Sequence, residues 1–199
     1  MNNIKKSFIQ HSNLSTKSMI LIVVFALLIF SCNSSQENGE NATNIRSDVD
    51  QIALNAWEKS GELVQKITLS PKGIVRNQSW GISIDSLNEK IELAENQPTN
   101  GKSYTLYFDD SDLNFTDITY LSDTENKLTE IDFDIFVETK PQVEEVKQKF
   151  TEYLQVKFGA PITQGSKIIW EKDKKTRVVL EDVSTNKDPG IKLVFSKMN

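Results

Sequence analysis

The sequence is poor in the residues from which proteins build metal centres, disulfides and nucleophilic catalytic sites. It contains one cysteine, Cys32, and one histidine, His11, among 199 residues. A single cysteine forms no intramolecular disulfide, and a structural zinc site needs four ligands that are mostly cysteine and histidine. The chain also lacks a phosphate-binding P-loop, a glycine-rich dinucleotide turn and a Ser-x-x-Lys motif. The sequence therefore predicts no metal and no cofactor.

The amino-terminal segment has the organisation of a secretory signal. Residues 1–18 are polar with three lysines and no acidic residue, and residues 19–30 are apolar without a break. As a helix the apolar run would span about 18 Å, whereas the hydrocarbon core of a bilayer is about 30 Å thick. The run is therefore too short to span a membrane comfortably, and it matches the apolar region of a signal peptide.

The end of the apolar run, Ile29-Phe30-Ser31-Cys32, resembles the lipobox of bacterial lipoproteins. The resemblance implies that a signal peptide of residues 1–31 is removed and that Cys32 carries fatty acids such as palmitate. Two or more acyl chains attach a protein stably to a membrane, so Cys32 is predicted to anchor the chain in the bacterial cell envelope. Residues 33–35 contain no aspartate, which favours the outer membrane. The alternative is an uncleaved signal anchor.

Cleavage before Cys32 would leave a chain without histidine. The mature chain would keep 20 basic and 28 acidic side chains, a formal net charge of −8. Without an imidazole it could form neither a Ser-His-Asp triad nor a Cys-His pair. An acidic chain without a basic patch is also not expected to bind nucleic acid.

The mature chain divides into a tether and one domain. Residues 33–44 contain one alanine and no larger apolar residue, so they cannot offset the entropy of ordering. We expect residues 32–44 to be the lipidated cysteine and a flexible tether about 20 Å long on average. Residues 45–199 are long enough for a single globular domain.

Hydrophobic periodicity in this domain alternates between helical and strand patterns. It predicts helices at 47–59, 85–95 and 141–157, and strands at 103–108, 114–121, 128–138, 166–171, 176–183 and 190–196, with a less regular strand at 63–69. Neighbouring strands joined by short turns favour an antiparallel sheet. The predicted fold is α+β with two layers, in which the helices pack on one face of the sheet. Two successive blocks of a helix and three strands, at 84–138 and 141–196, suggest a structural duplication.

Two stretches resemble small exported proteins, many of them lipoproteins of Bacteroidota type. One is Trp80-Gly81-Ile82-Ser83 before the predicted second helix, and the other is Lys157-Phe158-Gly159-Ala160-Pro161 after the third. In those proteins a Trp-Gly turn precedes a short helix and an aromatic-Gly-x-Pro sequence ends a longer one. The resemblance covers residues 80–196 and implies no activity and no catalytic residue.

The strand at 128–138 offers the best candidate contact surface. Ile131, Phe133, Ile135 and Val137 alternate with a row of acidic residues, which are Glu130, Asp132, Asp134 and Glu138. Such alternation is typical of a sheet with one buried and one solvated face. A groove for a cation or a basic partner is an alternative, and a catalytic carboxylate pair is another. Trp80, beside a glycine in a loop, joins these four acids as a candidate partner contact.

A second acidic pattern, Asp110-x-Asp112-x-Asn114, matches the first three ligand positions of a calcium-binding EF-hand loop. The positions that should carry the turn glycine and the last glutamate are Phe115 and Leu121. The pattern therefore predicts an acidic hairpin turn, with a weak surface calcium site as the alternative.

These features favour a non-enzymatic lipoprotein that binds a protein or another envelope component. One alternative is an inhibitor or immunity-type protein that blocks a basic partner through the acidic strand face. The other alternative is a hydrolase that uses carboxylates only, which requires buried acidic residues in a pocket.

Overall fold

A computed structural model describes residues 50–199 of the chain. The predicted signal peptide, Cys32 and the tether lie outside the described residues. Within 50–199, no helix has both the length and the apolar character needed to cross a membrane. The described residues form an α+β fold built on one antiparallel sheet of eight strands.

The strands form two meanders that meet at the centre of the sheet. The first meander is β1 (Glu92–Leu93), β2 (Gly101–Tyr107), β3 (Phe115–Ser122) and β4 (Leu128–Phe136), and the second is β5 (Ile162–Gln164), β6 (Lys167–Lys172), β7 (Thr176–Asp182) and β8 (Gly190–Lys197). Their order in the sheet is β1-β2-β3-β4-β8-β7-β6-β5, and every neighbouring pair is antiparallel. All six strands predicted between 103 and 196 are confirmed, whereas the short edge strands β1 and β5 were not predicted.

The helical segments agree with the prediction only in part. Residues 50–59 form α1, and Lys140–Phe158 form α3, as predicted. Thr139 caps α3 in a capping box: its side chain accepts from the Gln142 amide, and the Gln142 side chain accepts from the Thr139 amide. Glycine follows at the other end, where Gly159 has a φ of 92° that favours this residue.

The predicted strand at 63–69 is wrong, because Glu62–Thr68 form a helix, α2. Its buried residues Val64, Ile67 and Thr68 follow helical spacing. Gly61 has a φ of 91° and separates α1 from α2. The apolar residues that alternate in part of this segment therefore lie along one side of a short helix.

The predicted helix at 85–95 is also wrong. Only Ile84–Ser86 form a turn of 3-10 helix, and Glu92–Leu93 belong to the sheet. Ser83 caps this turn, since its side chain accepts from the Asp85 amide. The chain leaves the helical path after this turn, and the Glu89 side chain becomes buried against Arg76.

The core lies on one face of the sheet. Buried residues of the central strands, among them Ile118, Ile131, Phe133, Leu193 and Phe195, form one cluster with the buried residues of α2 and α3. Trp170 is fully buried in this cluster, and Trp57 packs against it. We refer to this side of the sheet as the inner face.

A buried ion pair fastens the irregular segment 69–91 to the sheet. The Arg76 guanidinium lies 2.6 Å from a Glu89 carboxylate oxygen, and both side chains are less than 5% exposed (3% and 4%). Glu89 also accepts a hydrogen bond from the Tyr120 hydroxyl of β3. Arg76 donates further bonds to the carbonyls of Lys66 (3.2 Å) and Ile67 (2.8 Å) in α2. Burial opposes the charged guanidinium, but the bonds to Glu89 outweigh it and raise the pKa of Arg76.

Arg76→Met is expected to lower the free energy of unfolding by about 3–5 kcal/mol, because it leaves the Glu89 carboxylate buried and unpaired. Urea denaturation of the wild type and the variant at neutral pH measures this difference. Arg177→Met is the matched control, since its pairing with Glu171 is exposed and long at 3.9 Å. If Arg177→Met lowers the free energy of unfolding as much as Arg76→Met does, the role assigned to the buried pair is contradicted.

Candidate functional site

The face of the sheet opposite the core carries the acidic row predicted from the sequence. In β3 and β4, buried positions alternate with half-buried ones, and the half-buried side chains lie on the second face. We define the outer face by its central polar residues, which are Ser103, Thr105, Asp117, Thr119, Glu130, Asp132, Asp134 and Lys192. Strand register places them in contiguous rows, such as Thr105, Asp117, Asp134 and Lys192 across β2, β3, β4 and β8.

Lys192 is the only cation close to the paired carboxylates at the centre of this face, among the residues that the structure describes. Its ammonium lies 3.0 Å and 3.3 Å from the two carboxylate oxygens of Asp134. It lies 3.5 Å from one oxygen of Asp132. Asp117 is held separately by the Thr105 hydroxyl at 2.7 Å. The centre of the face thus contains three carboxylates against one ammonium group.

Asp132 is the unusual member of the set. Its side chain is only 15% exposed, and its Oδ1 atom is buried without a hydrogen-bond partner within residues 50–199. Burial raises the pKa of Asp132, although Lys192 partly opposes this effect. Burial and the neighbouring Asp132 likewise raise the pKa of Glu130. Asp132 is therefore less solvated than the alternation of β4 predicts, whereas Glu130 is half-buried.

The ends of the outer face are apolar. At one end the rings of Phe115 and Phe136 stack with centroids 4.9 Å apart, and Tyr107 lies 5.9 Å from Phe115. On the β5–β8 side, Val194 and Val179 occupy the row that contains Asp132 on β4. The polar centre is thus bordered by apolar side chains on two sides.

Two of the predicted contact residues do not join the others. Glu138 follows the end of β4 and is exposed, and its backbone amide donates to the Asn114 side chain at 3.0 Å. Trp80 packs against the core, with its indole N–H donating to the Thr176 hydroxyl at 2.9 Å. Lys192, by contrast, was missed as a member of the site. The alternation of Ile191, Leu193 and Phe195 around it places it on the outer face, but its position beside Asp134 depends on the pairing of β4 with β8.

The predicted acidic hairpin turn is confirmed between β2 and β3. Asp109, rather than Asp110 or Asp112, organises it by accepting from the Ser111 amide at 2.8 Å and the Asn114 side chain at 2.9 Å. No group of three or more histidine, cysteine or carboxylate side chains that could hold a metal ion occurs in residues 50–199.

A buried lysine near the end of α3 is the other electrostatically unusual group. Lys157 is 9% exposed, and its ammonium donates to the Pro71 carbonyl at 2.9 Å. The Tyr153 hydroxyl lies at 3.4 Å, and no carboxylate is within 4.0 Å among the described residues. Burial, and then the nearby Lys172, lower the pKa of Lys157 to about 7. A lowered pKa increases the fraction of an amine that is unprotonated and reactive at neutral pH, but here the amine is enclosed and connects α3 to the loop after α2.

Lys157 is expected to make the domain more stable at alkaline pH. Its pKa is about 7 in the folded state and about 10.4 in the unfolded state, so between these values the unfolded chain binds the extra proton. Stability from this group therefore increases as pH rises from about 7 to about 10. Lys157→Met should flatten this dependence and raise the urea midpoint at pH 6.5.

Urea titrations at pH 6.5 and pH 9 test this prediction. Lys175→Met, in the exposed β6–β7 turn, is the control and should leave the pH dependence as in the wild type. The same pH dependence in Lys157→Met as in the wild type would show that Lys157 is charged in the folded protein at both pH values.

Comparison with known proteins assigns no family to the chain. Protein-family models, curated proteins and solved structures that were compared with it gave no match. The chemistry of the outer face therefore has to be argued from its own residues.

Proposed function

We propose that the protein is a non-enzymatic, lipid-anchored module of the bacterial cell envelope that binds a partner through its outer face. In this proposal the fold has two layers, with the helices packed on the inner face only. The outer face then remains free for a protein or another envelope component. The observation that carries the proposal is the buried Asp132 oxygen without a partner, next to the pair formed by Asp134 and Lys192.

An unsatisfied buried carboxylate oxygen is costly for a folded protein. Each buried polar group without a hydrogen bond destabilises the fold by about 1–3 kcal/mol. Stability is often lower at positions that serve binding, because the free protein leaves groups unpaired that a partner completes. Asp132 is such a position, and a cationic group of a partner placed over its carboxylate would compensate the buried charge.

The charge of the face favours a basic partner. Asp117, Asp132 and Asp134 outnumber the single ammonium of Lys192, and Glu130 adds a fourth carboxylate. Opposite charges across an interface increase the association rate and select against acidic competitors. This same observation favours a second candidate, an inhibitor or immunity-type protein that blocks a basic enzyme.

Carboxylate-only hydrolysis has less support. A general acid at neutral pH needs a carboxyl whose pKa is raised, and Asp132 and Glu130 meet that condition in direction. The nearby Lys192, however, partly opposes this rise for both residues. An electrostatic contact with a partner needs no proton on either residue.

The anchor in this proposal is Cys32. Its support is the lipobox-like sequence Ile29-Phe30-Ser31-Cys32 and the apolar run before it. The tether of residues 33–44 would hold the domain clear of the lipid head groups. The outer membrane is the proposed location, with the weaker support that no aspartate follows the cysteine.

Cys32→Ser is expected to move the protein from the membrane fraction to the soluble or secreted fraction. Metabolic labelling of the host with an alkyne fatty acid should label the wild type and leave the variant unlabelled. Ser31→Ala is the matched control, because it keeps a small residue before the cysteine. A wild-type protein that retains Met1 and carries no acyl group would contradict the anchor.

The contact surface is tested by a photo-crosslinking residue at Thr119 in the full-length protein, in its native host. We expect a discrete adduct that Asp132→Asn reduces at least threefold, because the substitution removes a charge that the partner complements. The same substitution should leave the melting temperature unchanged or raise it by roughly 2–4 °C, since it removes a buried charge.

A crosslinker at Gln148, exposed on α3, is the control for this experiment. The proposal expects no matching adduct at that position. Equal adducts at both positions, or an adduct at Thr119 that Asp132→Asn does not affect, would contradict the outer face as the contact surface. Catalytic turnover that a Glu130→Gln or Asp132→Asn variant loses would contradict the non-enzymatic function.

A further inference from the structure

A pocket of about 330 Å³ lies between α2, the β2–β3 turn and α3. Its apolar wall is formed by Leu63, Val64, Phe108, Val137 and Val146. Its charged rim comprises Glu62, Asp109, Glu145 and Lys149. None of these residues belongs to the outer face, so the pocket is a separate feature of the domain.

The apolar wall is part of the folded core and is therefore preformed. Val64, Val137 and Val146 are 1%, 6% and 7% exposed and belong to the main hydrophobic cluster. Each comes from a different segment, α2, the residue after β4, and α3. Pockets with a rigid apolar wall and a few polar groups at the opening are the usual form of small-molecule sites, and this volume is at the lower end of their range.

The rim of the pocket carries an excess of negative charge. Glu62 already pairs with Lys66 at 3.3 Å, and Lys66 also donates to the Phe108 carbonyl at 2.7 Å. Asp109 and Glu145 have no cation within 4.0 Å among the described residues, and Lys149 is the one ammonium among the lining side chains.

The position of the Asp109 carboxylate is fixed. One of its oxygens accepts from the Ser111 amide, and the other accepts from the Asn114 side chain. Asn114 is itself buried, and its carbonyl oxygen accepts from the Glu138 amide. The carboxylate is therefore held at the pocket by the turn and does not need to be ordered when a ligand binds.

We propose that this pocket binds a small organic cation with an apolar body, of the alkylammonium class. The apolar part contacts Val64, Val137 and Val146, and the ammonium group lies at the rim between Asp109 and Glu145. Burial of the alkyl chain supplies most of the affinity, and the two carboxylates select the cation over an anion of the same size. The site does not depend on the function of the outer face.

The test uses the full chain in nonionic detergent, with carbon-13 methyl spectra recorded at pH 7. Three probes of equal length are titrated separately: pentylammonium, pentan-1-ol and pentanoate. We expect pentylammonium to shift the methyl signals of Leu63, Val64, Val137 and Val146 to saturation. Its affinity should be at least threefold higher than that of pentan-1-ol, and pentanoate should not saturate these signals.

Two variants distinguish a direct contact with the bound ammonium group from a general effect of the protein's negative charge. Glu145→Gln should weaken pentylammonium binding about two- to fivefold, the effect expected for one exposed charge pair. Glu144→Gln is the control, because it is exposed on the same helix but does not line the pocket. Binding of pentanoate as strong as that of pentylammonium, absence of saturation, or equal effects of the two variants would overturn the proposal.

Discussion

The buried pair of Arg76 and Glu89 is the constraint on which the irregular segment 69–91 depends. Arg76 has a φ of 50°, in the left-handed region that non-glycine residues rarely adopt, and Asn77 follows with a φ of 61°. This backbone path turns the guanidinium back toward the end of α2 and onto Glu89. Tyr120 completes the arrangement from β3, since its hydroxyl donates to Glu89. The three side chains thus connect α2, the segment before β1 and the sheet, in addition to the backbone bridge between Ser83 and Lys127.

The same pair explains where sequence reasoning about the fold succeeded and where it did not. The α3 helix and the six longer strands have local signals, such as the capping box at Thr139 and the alternation through β4, and these signals are sufficient for them. The predicted helix at 85–95 has apolar residues at helical spacing. In the structure this segment is not helical, and its Glu89 is buried against Arg76, which lies 13 positions away. A local sequence pattern does not contain such a contact. The edge strands β1 and β5 are two and three residues long, too short to show any periodicity.

The sequence was sufficient to place the acidic residues of the candidate site in one row. It was not sufficient to predict how deeply each one is buried or which residues it contacts. The alternation of β4 correctly placed Glu130, Asp132 and Asp134 on one face. Whether such a face is solvated depends on the strands beside it, and Lys192 comes to Asp134 from 58 positions along the chain. The two meanders meet through β4 and β8, so Asp132 lies between Thr119 of its own meander and Val194 of the other. The raised pKa of Asp132 is a consequence of this long-range pairing.

The two-meander topology places the charged residues of the outer face on the two innermost strands of the sheet. The central strands of an eight-stranded sheet have neighbours on both sides, so a charge there loses more water than a charge on an edge strand. Natural sheets commonly place charges on exposed edges, where they prevent unwanted pairing. Here β4 and β8, the two innermost strands, carry Asp132, Asp134 and Lys192 on the outer face. Folding alone would favour apolar or hydroxyl side chains at these positions, as Val194 and Thr119 show in the same row. Because Asp132 is a buried charge at the place where such burial costs most, it opposes stability, and this cost is the reason for proposing a partner at this face rather than a purely structural role.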